Sequence, residues 1–171
     1  MKKIKLTLLG LTALTFAFVG CKKETVVTKN IVEVAQSDTT FSILVQAVVK
    51  AGLVNALSAP GPLTVFAPTN SAFRAAFTEL SVTGLNDLDS TTVANVLLYH
   101  VVSGKVLAAS LTEGQVVTPL LGGAGNTFTI SLMGGAKITD ARARVANITK
   151  TDIEATNGVV HIIDKVILPK P

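Results

Sequence analysis

Over residues 63–77, Leu-Thr-Val-Phe-Ala-Pro-Thr-Asn-Ser-Ala-Phe-Arg-Ala-Ala-Phe, the spacing of apolar side chains changes from that of a strand to that of a helix. Leu63, Val65 and Ala67 occupy every second position, as the side chains on one face of a β-strand do. Pro68 follows at once, and proline lacks the backbone N–H that a strand uses for pairing. The pattern therefore predicts a short strand that ends at Pro68.

A helix is predicted to begin directly after this strand. The side chains of Thr69 and Asn70 can accept hydrogen bonds from the free N–H groups of a first helical turn. Phe73 and Phe77 lie four residues apart, which places both rings on one helical face. Because its polar atoms are accounted for as caps, this strand-to-helix unit organises packing and carries no chemistry of its own.

Further helix signals occupy the N-terminal half of the chain. Asn30 and Glu33 have the spacing of a capping box, and Asp38 can cap a helix whose apolar positions form one stripe. Gly52 is placed to end that helix, and Ser90 is the predicted cap of a later one. The predicted helical segments besides the one after Pro68 are 31–35, 41–51, 53–57 and 91–99.

Strand signals dominate the C-terminal half. Short β-prone runs are separated by glycine pairs, an aspartate or an Asn-Gly turn, and the last run is apolar at nearly every position, which predicts a central strand buried on both faces. Because helices precede strands, we expect an α+β fold in a single domain, not an alternating α/β fold. The predicted later strands are 115–118, 127–133, 136–138, 142–148 and 159–168.

Composition narrows the class of partner. Of the 171 residues, 49% are hydrophobic and 5% aromatic, so the core must be mainly aliphatic. The formal net charge is +4, but Lys2, Lys3 and Lys5 lie in a segment that we expect to be removed, and the remaining 12 basic and 11 acidic residues leave +1. This near-neutral balance lacks the basic surface that attracts nucleic acid, so no nucleic-acid partner is predicted.

The N-terminus has the layout of a bacterial lipoprotein signal. The three lysines precede an apolar stretch, 6–19, that is shorter than the roughly 20 residues of a membrane-spanning helix. Val19-Gly20-Cys21 then resembles the lipobox, in which the cysteine is acylated and becomes the new N-terminus. The alternative interpretation is an ordinary secretory signal followed by an unrelated cysteine.

The lipobox resemblance implies a cellular location for the protein. We expect a signal peptide at 1–20, a lipid-anchored tether at 21–29 and a membrane attachment through the lipid on Cys21. Lys22 follows the cysteine in place of the aspartate linked to inner-membrane retention in some bacteria. The expected location is therefore the outer membrane or cell surface rather than the inner membrane.

Three stretches together resemble the signatures of the fasciclin (FAS1) domain family. Residues 64–73 are similar to the first signature, Leu98-Tyr99-His100 to the central Tyr-His motif, and residues 157–169, Asn-Gly-Val-Val-His-Ile-Ile-Asp-Lys-Val-Ile-Leu-Pro, to the closing signature. The resemblance extends over about residues 30–169. It implies a fasciclin-like β-wedge with N-terminal helices packed around it. It also implies a non-enzymatic module, without a cofactor, that mediates cell adhesion or contacts with proteins and matrix.

Two residue pairs carry over from animal members of the family, in which they are implicated in integrin binding. The matching positions are Tyr99-His100 and Asp152-Ile153. Because bacteria have no integrins, the match implies a position in the fold more than an activity. We treat Tyr99, His100, Asp152 and Ile153 as candidate interaction residues. The competing interpretations place His100 in the core with satisfied hydrogen bonds and turn Ile153 inward from a strand edge.

Other chemistries lack their residue patterns. A zinc site needs three or four ligands, and the two histidines, His100 and His161, have no available cysteine beside them because Cys21 is expected to be acylated. No metal and no catalytic residue is predicted, since a Gly-x-Ser-x-Gly motif is also absent from the sequence. The main alternative function is an envelope protein that binds a small ligand or polysaccharide in a concave aliphatic pocket. A hydrolase is the weakest alternative.

Overall fold

The computed structural model describes residues 27–171. The expected signal peptide, the acylation site Cys21 and most of the tether lie outside the described residues. Within 27–171, the helices all fall short of the length and apolar character that crossing a membrane requires.

The described chain forms five α-helices, all of them before residue 100, and seven β-strands. The helices are α1 (Ile31–Gln36), α2 (Ser42–Lys50), α3 (Val54–Ser58), α4 (Asn70–Glu79) and α5 (Ser90–Tyr99). The strands are β1 (Leu63–Pro68), β2 (Val101–Ser103), β3 (Val116–Val117), β4 (Phe128–Ser131), β5 (Lys137–Thr139), β6 (Val145–Ala155) and β7 (Gly158–Ile163).

Side-chain caps start the helices largely as predicted. The Asn30 side chain accepts a hydrogen bond from Glu33 N at 3.0 Å, and the Glu33 carboxylate accepts one from Asn30 N at 2.8 Å, so the capping box is confirmed. The predicted cap at Ser90 is wrong by one residue. Asp89 caps α5, because its carboxylate accepts a hydrogen bond from Thr92 N at 2.9 Å.

The strands form one mixed sheet in the order β2-β1-β7-β6-β5-β4-β3. β1 and β7 run parallel, and the other neighbouring pairs are antiparallel. Leu120 N donates a hydrogen bond to Val101 O at 2.7 Å, which brings the chain after β3 next to β2 at the opposite edge. The sheet therefore nearly closes on itself, and the expected α+β wedge with N-terminal helices is confirmed.

Two strand predictions are wrong in their bounds. The strand predicted at 142–148 begins at Val145 and continues to Ala155, and the strand predicted at 159–168 ends at Ile163. The chain turns away after Ile163 because the Asp164 carboxylate accepts hydrogen bonds from the backbone and side-chain nitrogens of Asn147 at 2.8 and 2.7 Å. A strand at 101–103 was not predicted at all.

Two hydrophobic clusters lie on the two faces of the sheet, and the alternation in β1 divides its side chains between them. Val65 and Ala67 pack against the helices, in what we call the helix-facing core. Phe66 points the other way, into the interior of the curved sheet, where its ring meets Phe128 edge-on at a centroid distance of 5.4 Å. Every side chain of β1 after Leu63 is buried, so β1 is a central strand.

Candidate interaction surface at Asp152

Tyr99, the first candidate interaction residue, lies in the interior. Its side chain is 0% exposed. The hydroxyl donates a hydrogen bond to Thr127 O and accepts one from Ala141 N, both at 2.9 Å. Burial raises the pKa of the Tyr99 hydroxyl above its ordinary value. Tyr99 joins α5 to the loop before β4 and the loop after β5, and its side chain is not exposed to a partner.

His100 is equally enclosed, at 2% exposed. Its Nδ1 lies 2.7 Å from Val96 O and its Nε2 accepts a hydrogen bond from Ile167 N at 3.1 Å, so the neutral ring carries its proton on Nδ1. Burial lowers the pKa of His100 to about 4. The interpretation of His100 as a satisfied core residue is confirmed. Neither the Tyr99 nor the His100 side chain reaches the surface of the described domain, so a direct contact of either with a partner is not supported by the structure.

Next to this pair lies a buried ionic cluster that the sequence analysis missed. The Asp140 carboxylate, 5% exposed, accepts five hydrogen bonds: from Arg142 N, Leu168 N and three nitrogens of Arg144, at 2.8 to 3.0 Å. Arg144 also donates to Val166 O at 2.8 Å. The sequence signal was a carboxylate and a guanidinium four residues apart beside a strand. The cluster fastens residues 166–168, so its role is structural.

Asp152, in contrast, lies on the surface. It sits at an irregularity in the pairing of β6 with β7 and adopts φ +57°, in the left-handed region that aspartate tolerates. Its Oδ1 accepts a hydrogen bond from Ala108 N at 2.9 Å, and its own N–H donates to Nδ1 of His161 at 3.2 Å. Asp152 thereby connects the outer surface of the sheet to a buried histidine.

The segment that Asp152 holds, residues 104–110, is here named the strap. His161, 0% exposed, donates from Nε2 to Val106 O at 2.9 Å. Thr64 of β1 accepts a hydrogen bond from Val106 N at 2.9 Å and donates one to Gly104 O at 2.6 Å. Three side chains from three adjacent strands therefore fasten the strap through its backbone.

The strap places exposed side chains beside Asp152. Leu107 is 37% exposed and precedes the residue whose N–H Asp152 accepts. Lys105 forms an ion pair with Glu154 at 3.0 Å. We name these four residues, Lys105, Leu107, Asp152 and Glu154, the Asp152 patch. An apolar side chain flanked by charges of both signs suits contact with a protein surface.

Ile153 does not belong to the patch. It lies opposite Val160 in the sheet and packs against the helix-facing core. The interpretation that turned Ile153 inward is therefore confirmed. Sequence reasoning missed Lys105 and Leu107 because the run from 104 to 110 has neither helical nor strand periodicity, and only the tertiary contacts bring it to Asp152.

The interior offers little room for a ligand. Two cavities beneath the helices measure about 30 and 40 Å³, which is space for a water molecule or two, against the roughly 300–1,000 Å³ of small-molecule sites. Among residues 27–171, no three His, Cys, Asp or Glu side chains converge as metal ligands would. The aliphatic pocket expected for a ligand-binding protein is thus not found in the core.

Comparisons with known proteins agree with this architecture. The fasciclin domain model matches residues 39–169. Protein sll1483 of Synechocystis sp. is 45% identical over 141 residues, 81% of this chain and 73% of that protein, and protein sll1735 of the same organism is 40% identical over 139 residues, 81% and 97%. A FAS1 domain pair from the insect cell adhesion molecule fasciclin I has the same fold, with a TM-score of 0.67 at 16% identity over 84% of this chain and 52% of that one. The chain therefore belongs to the fasciclin domain family.

Proposed function

We propose that this protein is a non-enzymatic lipoprotein of the bacterial cell envelope, anchored through a lipid on Cys21. Its fasciclin domain mediates adhesion or contact with a protein or polysaccharide of the envelope or matrix, and the Asp152 patch makes that contact. The membership in the fasciclin family and the fold shared with a domain pair of an insect cell adhesion molecule support an adhesive role.

The observation that carries the proposal is the rigidity of the Asp152 patch. Side chains of Thr64, Asp152 and His161 hold the strap by its backbone, so Leu107 is displayed from a fixed segment. A surface that is ordered before binding loses less conformational entropy when a partner docks. Within the described residues, every buried side-chain nitrogen and oxygen has a hydrogen-bond partner.

The location is tested by surface proteolysis of intact cells that produce the full chain, with Cys21→Ser fractionated beside the wild type. We expect the wild type in membranes and removed by protease from whole cells, and the serine variant in the soluble fraction. A membrane-bound but protease-protected wild type would restrict its partners to the periplasm. Two soluble forms would refute the lipid anchor.

The contact surface is tested by adhesion of cells that produce Leu107→Ser or Asp152→Asn. Asparagine keeps the acceptor for Ala108 N and tolerates positive φ, so Asp152→Asn removes charge while the strap stays fastened. Val49→Ser, on the exposed face of α2, is the matched control for loss of an exposed apolar side chain. We expect adhesion to fall at least tenfold in both patch variants and to stay unchanged in the control. Wild-type adhesion in both patch variants would rule out the Asp152 patch as the contact surface.

A further inference from the structure

An open groove of about 410 Å³ lies between the end of α4, the middle of α5 and the C-terminal segment. Its floor is aliphatic and comes from three separate parts of the chain. The floor residues are Leu80, Val82, Leu88, Val96 and Leu168. We name this feature the C-terminal groove. Its volume falls within the range of small-molecule sites, unlike the cavities in the core.

The charged side chains that line the C-terminal groove are both cationic. Arg142 and Lys170 line it, and no acidic side chain does so among residues 27–171. Arg142 Nε donates to Pro169 O at 2.8 Å, which fixes the guanidinium at the rim. Within the described chain, the terminal nitrogens of Arg142 and the ammonium of Lys170 make no hydrogen bond or ion pair. The guanidinium is therefore available to an anionic ligand, and the Lys170 side chain, which lies against Gly125, can swing towards the same ligand.

The floor of the C-terminal groove is also the roof of a void. The cavity of about 40 Å³ beneath it shares Leu80, Leu88, Val96 and Leu168 with the groove and is lined by apolar side chains apart from Thr92. One layer of side chains therefore separates the groove from unfilled apolar space. Because its lining is almost wholly apolar, this space suits the end of a hydrocarbon chain.

We propose that the C-terminal groove binds a free, single-chain aliphatic carboxylate. The carboxylate lies between Arg142 and Lys170, where the planar guanidinium can donate two parallel hydrogen bonds to it. The hydrocarbon chain lies along the aliphatic floor, and its end reaches the void when Leu80 or Leu88 changes rotamer. This ligand matches both the apolar floor and the positive rim, whereas a neutral sugar would leave the floor unused and an alkane would leave the cations unpaired.

The proposal predicts how the binding affinity depends on the length of the ligand's hydrocarbon chain. Each methylene that leaves water for the groove should tighten binding about fourfold at 25 °C, until the chain fills the groove and the affinity stops rising. The alcohol of equal length has the same hydrocarbon chain but no charge. It should bind at least tenfold more weakly than the carboxylate, since it cannot use the two cations.

The test is calorimetric titration of the full chain carrying Cys21→Ser with hexanoate, octanoate, decanoate and 1-octanol, each below its micelle concentration. Arg142→Gln removes the charge at the rim, and Arg74→Gln, at an exposed cation elsewhere on the surface, is its control. Leu80→Asp places a carboxylate in the floor. Leu120→Asp is its matched control, because Leu120 is a comparably exposed leucine, 44% against 37% for Leu80, outside both the groove and the Asp152 patch. We expect Arg142→Gln and Leu80→Asp to weaken octanoate binding at least tenfold and both controls to leave it unchanged.

Three results would overturn the proposal: affinity independent of chain length, equal affinity for octanoate and 1-octanol, or equal weakening by Leu80→Asp and Leu120→Asp. Vesicles of anionic and of neutral phospholipid form a further arm. Binding to the anionic vesicles without binding to octanoate would make the groove a membrane contact instead of a site for a free carboxylate. Leu80 and Arg142 lie outside the Asp152 patch, so the adhesion assay and this titration can fail independently.

Discussion

Replacing Asp140 by asparagine is the sharpest test of what holds this fold together. The change keeps the size of the side chain and removes its charge and one of its two acceptor oxygens. Oδ1 receives two backbone N–H groups, from Arg142 and Arg144, and Oδ2 receives Leu168 N and two guanidinium nitrogens of Arg144. The single oxygen of asparagine can accept hydrogen bonds either from the donors at Oδ1 or from the donors at Oδ2. Its NH2 group must then face the other donors, to which it cannot bond.

The magnitude follows from these contacts. If the oxygen stays with the two N–H groups near Oδ1, Leu168 N loses its acceptor, which costs about 1–3 kcal/mol. Removing one member of a buried ion pair costs about 3–5 kcal/mol in other proteins. In the variant, Arg144 keeps its ion pair with Glu79 at 2.8 Å and its hydrogen bond to Val166 O at 2.8 Å, so its guanidinium still has partners. We therefore expect Asp140→Asn to lower the free energy of unfolding by about 3–4 kcal/mol, a large part of the 5–15 kcal/mol of a typical domain.

Urea unfolding followed by circular dichroism measures this difference, with the slope of the transition as a check that folding remains two-state. Asp87→Asn makes the same chemical change at an exposed carboxylate that accepts hydrogen bonds from Thr83 alone, and it should lower the midpoint much less than Asp140→Asn does. The variant Asp140→Asn/Arg144→Met should be less destabilised than the sum of the single changes, because the second change removes the unpaired cation. A loss below about 1 kcal/mol for Asp140→Asn, or strict additivity in the double variant, would refute the assigned role of the cluster.

Three further predictions rest on single side chains. Asn157→Ala should lower the free energy of unfolding by about 3–5 kcal/mol in a urea titration, since two buried backbone groups and one partly buried one lose their partner, whereas exposed Asn86→Ala should not. Because burial lowers the folded-state pKa of His100 from 6.5 to about 4, the unfolded chain takes up this proton first. The His100 contribution to stability is full above pH 6.5 and falls by about 3 kcal/mol towards pH 4, and His100→Gln should remove this contribution and leave only the acid dependence of the carboxylates. Asp152→Ala should accelerate amide hydrogen exchange at Ala108 about tenfold, and Asp152→Asn should not.

Elements governed by neighbouring residues could be predicted from the sequence. Pro68 ends β1 and the next residue, Thr69, caps α4 by accepting a hydrogen bond from Ala72 N at 3.3 Å, so the signals for this unit all lie within a few positions. The family could be predicted for the same reason, because its signatures are short and continuous. In both cases, the residues that determine the structure are close to one another in the sequence.

Elements governed by distant contacts could not be predicted. Residues 166–168 are as apolar as β7, but they leave the sheet because His100, Asp140 and Arg144 take up their backbone groups. The strap has no periodicity of its own and is placed by side chains from other strands. The Asp152 patch and the C-terminal groove share this origin, since each is assembled from segments far apart in sequence.

The family resemblance singles out both buried and exposed residues. The effect of a substitution must therefore be interpreted according to where the residue lies. Tyr99 and His100 hold loops and the C-terminal segment from within, so changing them perturbs any surface only by loosening the fold. Asp152 both fastens the strap and lies on the surface, so its effect on binding has two causes that Asp152→Asn and Asp152→Ala separate. Loss of adhesion in both variants indicates that the charge meets a partner, whereas loss in the alanine variant alone indicates that the partner depends on the strap and Leu107.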